Sequence, residues 1–248
     1  MTLPVGEIIC GDCLQEMERW PNECIDLIVT SPPYNLRTSS GNGFRGSGVS
    51  SKWPDAALRH GYGEHADNMP YDEYCAWQYK CLCEMMRILK PTGAIFYNQK
   101  WRVQKGLLED RSKIISDFPV RQIIIWSRGS GMNFNRSYFV PTYEPIYLIA
   151  NPGFQLRDKA AGLGDVWMVP PETAKNKHPA PFPEEIPSRC IRSTDAQLIL
   201  DPFLGSGTTA AAAKRLGRQY IGIELNQEYC EMARRRLAQG ALLMGAKG

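Results

Sequence analysis

The 248-residue chain contains no apolar run near the ~18 residues that a bilayer-spanning helix requires, which argues against an integral helical membrane protein. Met1 to Asp12 lacks a basic stretch followed by an apolar one, so no secretory leader is expected and the cytosol is the expected compartment. Eight cysteines are present, yet Cys10-x2-Cys13 and Cys81-x-Cys83 have no second CxxC or His pair to complete a tetrahedral set. Cys10 also lies inside the apolar stretch Ile8-Ile9-Cys10. No metal is therefore expected, and reduced, mostly buried thiols are the reading. A strong excess of one charge is missing as well. Lys plus Arg number 29 against 26 acids, a net charge of +3 that does not by itself mark a nucleic-acid binder. Its distribution is more informative, because ten basic residues and only three acids fall between Arg87 and Arg136. That stretch is either an ordinary solvated surface or a face for a polyanion.

Hydrophobic residues make up 43% of the chain and charged residues 22%, enough apolar material for one sizeable core. Glu7 to Cys10 reads as a short strand ending at Gly11-Asp12. Ile25 to Val29 is a nearly continuous apolar run, as expected of a parallel strand covered on both faces. Pro70 opens a helix in which Tyr74, Trp77, Cys81, Met85 and Ile88 share one face, and Lys90-Pro91-Thr92-Gly93 ends it. Strands are expected at Ala94–Tyr97, Arg121–Trp126 and Glu144–Ala150, the last two as a hairpin, with a helix from about Val103 to Ser116. The final third reads as βαβα: a strand over Gln197–Asp201, a helix over Thr208–Leu216, a strand over Tyr220–Glu224, and a helix capped by Asn226 that runs through Leu237. One α/β domain spanning 1–248 accounts for this pattern, with irregular insertions at about 37–67 and 151–177.

Two motifs carry chemistry. Asp201-Pro202-Phe203-Leu204-Gly205-Ser206-Gly207 lies between a strand and a helix. Its glycines admit close approach of a ligand, and the helix start offers N–H groups to a carboxylate. Glu224 ends the next strand, where an acidic side chain grips ribose hydroxyls. Gly207-Thr208-Thr209-Ala210 lacks the third glycine of a dinucleotide fingerprint. S-adenosylmethionine has a ribose and a carboxylate but no pyrophosphate, and it suits the shorter turn better than NAD.

Ser31-Pro32-Pro33-Tyr34 follows a parallel strand, at the end where α/β folds bind ligands. Two prolines could simply terminate the strand. They also fix the direction of the Pro32 carbonyl, so that it and the Ser31 hydroxyl could accept from an amino group while Tyr34 stacks on the ring bearing it. The exocyclic nitrogen of a base is a poor nucleophile because its lone pair is delocalised, and acceptors aimed at its hydrogens favour the tetrahedral form that attacks a methyl group. No Pro-Cys pair supplies the nucleophile that methylation at cytosine carbon 5 would need.

With these residues in view, the sequence resembles the DNA amino-methyltransferases that act on adenine N6 or cytosine N4. The resemblance rests on Thr30 to Asn35, Asp201 to Thr209, Gly11-Asp12, His178-Pro179-Ala180-Pro181-Phe182-Pro183 and Glu224. The catalytic motif precedes the cofactor motif, as in the circularly permuted β group of that family. The resemblance implies a Rossmann-like methyltransferase fold with a mostly parallel seven-stranded sheet and a terminal β-hairpin. It implies S-adenosyl-L-methionine as cofactor, with Asp12 at its adenine, Phe203 against that ring and Glu224 at the ribose. Gly205, Gly207 and Thr208 would line the methionine end, with Asp201 and Ser206 in the same motif and His178 beside the cofactor or in a structural hydrogen bond. Ser31, Pro32, Pro33 and Tyr34 would hold the target amino group of a flipped base in double-stranded DNA. Ser before the two prolines leans towards cytosine N4 over adenine N6.

Target recognition is expected in 151–177, shared with a mobile DNA-facing loop at 37–67. Arg37, Arg45, Lys52, Arg59, Arg128 and Arg136 are candidate phosphate contacts. A homodimer and a cognate restriction endonuclease are further candidate partners. Two other functional classes remain open at this point: methylation of an amine or amide in RNA or protein, which motif order disfavours, and an inactive DNA-binding relic, which retention of both motifs disfavours.

Overall fold

A computed structural model describes residues 2–35, 69–104, 107–129, 136, 138–171 and 182–245. The insertion at 37–67, with Arg37, Arg45, Lys52 and Arg59, lies outside the described residues, as does His178.

An eight-stranded sheet has the order β1-β10-β9-β2-β3-β7-β6-β8. Its strands are β1 (Ile8–Cys10), β2 (Ile25–Thr30), β3 (Leu89–Asn98), β6 (Val120–Ser127), β7 (Tyr143–Ala150), β8 (Val166–Met168), β9 (Leu198–Asp201) and β10 (Gln219–Glu224). Every neighbouring pair is parallel except β3·β7 and β6·β7, so β7 alone runs against the others. The five α-helices among the described residues are α1 (Cys13–Glu18), α2 (Tyr71–Ile88), α3 (Glu185–Arg192), α4 (Thr208–Arg215) and α5 (Gln227–Gly245). From β9 the chain moves through β10 to one edge, whereas from β2 it moves through β3 towards the other. The β9/β2 junction is therefore the switch point of a doubly wound sheet, the place where such folds bind ligands. The N-terminal β1 lies parallel beside the C-terminal β10, so the sheet is continuous where the chain is not. That is the permuted order the motifs indicated. No helix among the described residues is long and apolar enough to cross a membrane.

The core follows from the period of two along buried parallel strands. Ile28, Ile95 and Tyr97 face α1 and α2, where they meet Met17, Tyr74, Cys81, Leu82, Met85 and Ile88. Leu27, Val29, Ala94 and Phe96 face the opposite side and pack with Ile186, Cys190, Ile191, Ala212 and Ala213 of α3 and α4. Fully burying a side chain of this size stabilises the fold by roughly 1.5–3 kcal/mol. Asp26, the one acid inside the β2 run, ties strand starts together. Its Oδ2 accepts from the Gln197 and Leu198 N–H groups at 3.0 and 2.8 Å, and Lys90 donates to Oδ1 at 2.6 Å. Burial works to raise its pKa, but these donors outweigh it and the pKa lies below the ordinary value.

Several expectations change. The sheet has eight strands rather than seven, because Val166–Met168 adds β8 beside β6, inside a segment expected to be irregular. The expected helix from Val103 to Ser116 is instead a ribbon of β4 (Arg102–Gln104) and β5 (Leu107–Glu109), followed by a 3₁₀ turn over Ser112–Ile114. The Asp110 carboxylate accepts from the Ser112 N–H at 2.8 Å and from its hydroxyl at 2.7 Å, a local bond that competes with continuous helix. Leu107 and Leu108 in this ribbon are exposed. Helix α3, for which the sequence reading named no element, carries Pro187 in its first turn, where proline is tolerated. All eight cysteines are free and five are buried.

Candidate active site

The parallel strands β1, β10, β9, β2 and β3 all end on one rim of the sheet, and reversed β7 begins there. Both motifs leave this rim from adjacent strands. They are joined below it: the Thr30 hydroxyl donates to Asp201 Oδ1 at 2.7 Å, a buried bond between the last residues of β2 and β9.

On the β9 side, Leu204 N–H donates to the Ile223 carbonyl at 2.9 Å and Gly205 N–H donates to Glu224 Oε2 at 2.7 Å. Glu224 Oε1 accepts from Asn226 N–H at 2.9 Å, so each carboxylate oxygen braces one neighbouring turn. Burial raises the Glu224 pKa, offset in part by the Asn226, Gly205 and Leu225 N–H groups. Asp201 is also buried. Desolvation pushes its pKa up to about 6, against the lowering effect of Thr209, Thr30 and the Phe203 N–H. Gly207 takes φ +87°, and a Cβ there would lie 2.8 Å from the Ala233 Cβ. Its glycine is thus required by helix packing as well as by the turn.

Gly11 N–H donates to the Glu224 carbonyl at 3.0 Å, which brings Asp12 to the same end of the sheet. Asp12 Oδ1 caps α1 by accepting from Leu14 and Gln15 N–H at 2.9 and 3.1 Å. Phe203 is half-buried with its ring edge-on to Trp77, centroids 5.7 Å apart. Ser206 is half-buried in the turn. The Thr208 hydroxyl faces protein: it accepts from Arg236 at 2.9 Å, and Arg236 pairs with Glu184 at 3.0 Å.

On the β2 side, Pro32 is buried and Ser31, Pro33 and Tyr34 are half-buried. The Tyr74 hydroxyl donates to the Pro33 carbonyl at 2.8 Å, and Gln99 Nε2 donates to that hydroxyl at 2.9 Å. Asn35 closes the segment at φ 57°, a left-handed conformation its short amide tolerates, and donates to the Met69 carbonyl at 2.8 Å. Ser31 Oγ and Tyr34 Oη lie 2.6 Å apart. Tyr34 Oη donates to Glu144 Oε2 at 3.3 Å, and Asn98 Nδ2 donates to Tyr34 Oη at 2.9 Å. Glu144 is 5% exposed. Lys100 Nζ and Arg128 Nη1 each lie 3.4 Å from its Oε1. Arg111, 1% exposed, stacks its guanidinium 4.5 Å from the Tyr74 ring centroid and pairs with Glu109 at 2.7 Å.

Sequence reasoning missed Glu144, Asn98, Tyr74 and Arg111. A carboxylate at the head of the otherwise apolar run Pro145 to Ala150 was the one available signal for Glu144. Arg128, a candidate phosphate contact, is held by Glu144, while Arg136 is exposed. Among the described residues no group of His, Cys, Asp or Glu could hold a metal ion.

The doubly wound sheet, with a glycine turn and a proline-locked acceptor turn on neighbouring strand ends, defines a Rossmann-like methyltransferase. The family model of the N6/N4 methyltransferases, described as DNA methylase, matches residues 25–235, and the chain belongs to that family. It is an S-adenosylmethionine-dependent DNA amino-methyltransferase. The chain is 28% identical over 273 residues to the Type II methyltransferase M.BglII of Bacillus subtilis, covering 92% of this chain and 68% of that protein. Its fold is similar to that of the cytosine-N4-specific PvuII DNA methyltransferase, with TM-score 0.72 and 21% identity over 95% of this chain and 87% of that one. It is similar also to M1.HpyAVI in complex with S-adenosylmethionine, with TM-score 0.60 and 22% identity over 93% and 99% of the two chains.

Proposed function

We propose that the chain methylates the exocyclic amino group of a base flipped out of double-stranded DNA, with cytosine N4 favoured over adenine N6. The observation that carries the site assignment is the adjacency of the two turns, linked by the Thr30–Asp201 bond. Ser31 ahead of the prolines supports cytosine.

The residues present fit the cofactor. Each Glu224 oxygen accepts one backbone N–H and keeps further acceptor capacity for a ribose hydroxyl. Phe203 offers an aromatic edge for adenine, and Asp12 lies at the neighbouring strand end. The start of α4, with Gly205, Ser206, Gly207 and the Thr208 backbone, suits the methionine carboxylate. Asp201 acts below this cradle by fixing the turn. His178 belongs to the segment we assign beside the cofactor. When bound, S-adenosylmethionine supplies a methyl group on a positively charged sulfur.

The chain's own residues do the rest by positioning. Pro32 has a fixed φ and presents its carbonyl in one direction, while Ser31 adds a hydroxyl acceptor, so the two hold both hydrogens of the amino group. Pro33 has no N–H to compete, and its carbonyl is anchored by Tyr74. Tyr34 offers its ring face to the base. Acceptors that bind more strongly as the nitrogen gains positive charge favour the transition state over the ground state. Aligning nitrogen and methyl is worth up to ~7–11 kcal/mol. No side chain needs to act as a covalent nucleophile.

We assign target recognition to 151–177, shared with the segment 37–67, which we propose faces the DNA. We further propose a modification role beside a cognate restriction endonuclease, which the Type II name of the Bacillus relative supports, and a cytosolic location. A homodimer is the other candidate assembly, measured by sedimentation. The decisive assay incubates the protein with methyl-labelled S-adenosylmethionine and unmethylated genomic DNA, then identifies labelled nucleosides by mass. Label on deoxycytidine is expected. Label on deoxyadenosine would reverse the choice of base, and label only in RNA or protein would overturn the substrate.

A further inference from the structure

Glu144 enters this site from the hairpin, outside both motifs. We infer that it is a positioning residue that sets the direction of the hydrogen bonds linking Tyr34 to Ser31, and thereby turns the Ser31 hydroxyl into a pure acceptor. The inference rests on the proposed role of Ser31 in holding the target amino group.

The argument is a count of protons. Glu144 Oε1 is paired with two cations, Lys100 and Arg128, each at 3.4 Å, and a carboxylate in ion pairs is an acceptor only. Tyr34 has one hydroxyl proton and donates it to Glu144 Oε2. Asn98 Nδ2 donates to Tyr34 Oη at 2.9 Å and to Glu144 Oε2 at 3.3 Å, consistent with both oxygens acting as acceptors towards it. With the Tyr34 proton committed, the 2.6 Å contact between Ser31 Oγ and Tyr34 Oη requires Ser31 to be the donor. The Ser31 proton then points away from the target, and its lone pairs are left for the amino hydrogens. Without an acceptor at residue 144, the Tyr34 proton could turn to Ser31. The Ser31 proton would then be free to point at the amino group, where donor would face donor.

The geometry depends on β7 running against the other strands. Its pairing with β3 sets Ile146 opposite Asn98, so residue 144 lies beyond the end of β3, on the rim that carries Ser31. A carboxylate that served only to neutralise Lys100 and Arg128 would not need to reach Tyr34.

The test is a double-mutant cycle on the full-length protein, with turnover on DNA and S-adenosylmethionine affinity measured separately. Glu144→Gln keeps the shape but offers an amide that can donate to Tyr34, and Tyr34→Phe removes the hydroxyl while keeping the ring. Glu144→Gln is expected to lower kcat by roughly ten- to hundredfold, the range for losing a hydrogen bond to a charged group, with cofactor affinity unchanged. In the Tyr34→Phe background the same change should cost less than threefold, because the chain it acts through is already cut. Losses that multiply, or a Glu144→Gln kcat within twofold of the parent, would overturn the inference. If Glu144→Gln loses cofactor binding, Glu144→Asp run against Tyr34→Phe gives the same reading. Ser31→Ala separates the two claims: if it turns over normally, the proposed Ser31 role fails, whereas an impaired Ser31→Ala beside additive Glu144 and Tyr34 losses sinks only the role of Glu144.

Discussion

Thr30 Oγ1 donates to Asp201 Oδ1 at 2.7 Å, so the last residue of one central strand holds the last residue of its neighbour. The two turns that follow are carried on a fixed pair of strand ends. Thr30→Val, which keeps the side-chain shape, should destabilise the protein by about 1.5–3 kcal/mol, the usual worth of a buried hydrogen bond to a charged group. Urea unfolding of parent and variant measures it. A change below ~0.5 kcal/mol would show that the bond contributes little to stability.

The same pair gives a pH signature. Asp201 has its pKa raised by burial from the ordinary 3.8 to about 6. A raised carboxyl pKa gives stability that is fully present below the unfolded value and lost as pH rises through the folded value. The Asp201 contribution should therefore fall between pH ~4 and ~6 by about 3 kcal/mol. Asp201→Asn should remove that slope, and the difference between the two stability–pH curves isolates it from other groups. Parallel curves would contradict the buried-carboxyl account.

Tyr34→Ala should abolish turnover and leave S-adenosylmethionine affinity within about threefold, because the ring is assigned to the base and not to the cofactor. Equilibrium titration of the cofactor beside single-turnover methylation checks both parts. Equal loss of both would put Tyr34 on the cofactor side.

Gly207→Ala should cost at least ~1–3 kcal/mol, since the residue sits at φ +87° and the new Cβ would meet Ala233 at 2.8 Å. Thermal melts measure it. Gly164→Ala, at φ +66° but with nothing within 4 Å, should lose less, and the difference reports the clash with α5.

Features carried by local pattern were legible in the sequence. Ile25 to Val29 announced a two-face buried strand, the Asn226 side chain caps α5 by accepting from the Glu228 and Tyr229 N–H groups, and the two motifs fell on strand ends as expected. Features that depend on what lies across the sheet were not. Glu144 reads as the polar start of a strand until antiparallel pairing brings it to Tyr34. Val166-Trp167-Met168 is too short to show a period, and only pairing with β6 makes it a strand. Val103 to Ser116 has apolar residues at helical spacing, but the Asp110–Ser112 turn favours a ribbon followed by a tight turn.

Glu224 braces Gly205 through one oxygen and Asn226 through the other. If this turn holds the cofactor, as we propose, its shape is set by the protein's own bonds, so binding there should lose little affinity to ordering of the loop. A Glu224→Ala protein would lose this brace together with the ribose contact we propose for it, so weakened binding in that variant would measure the sum of the two.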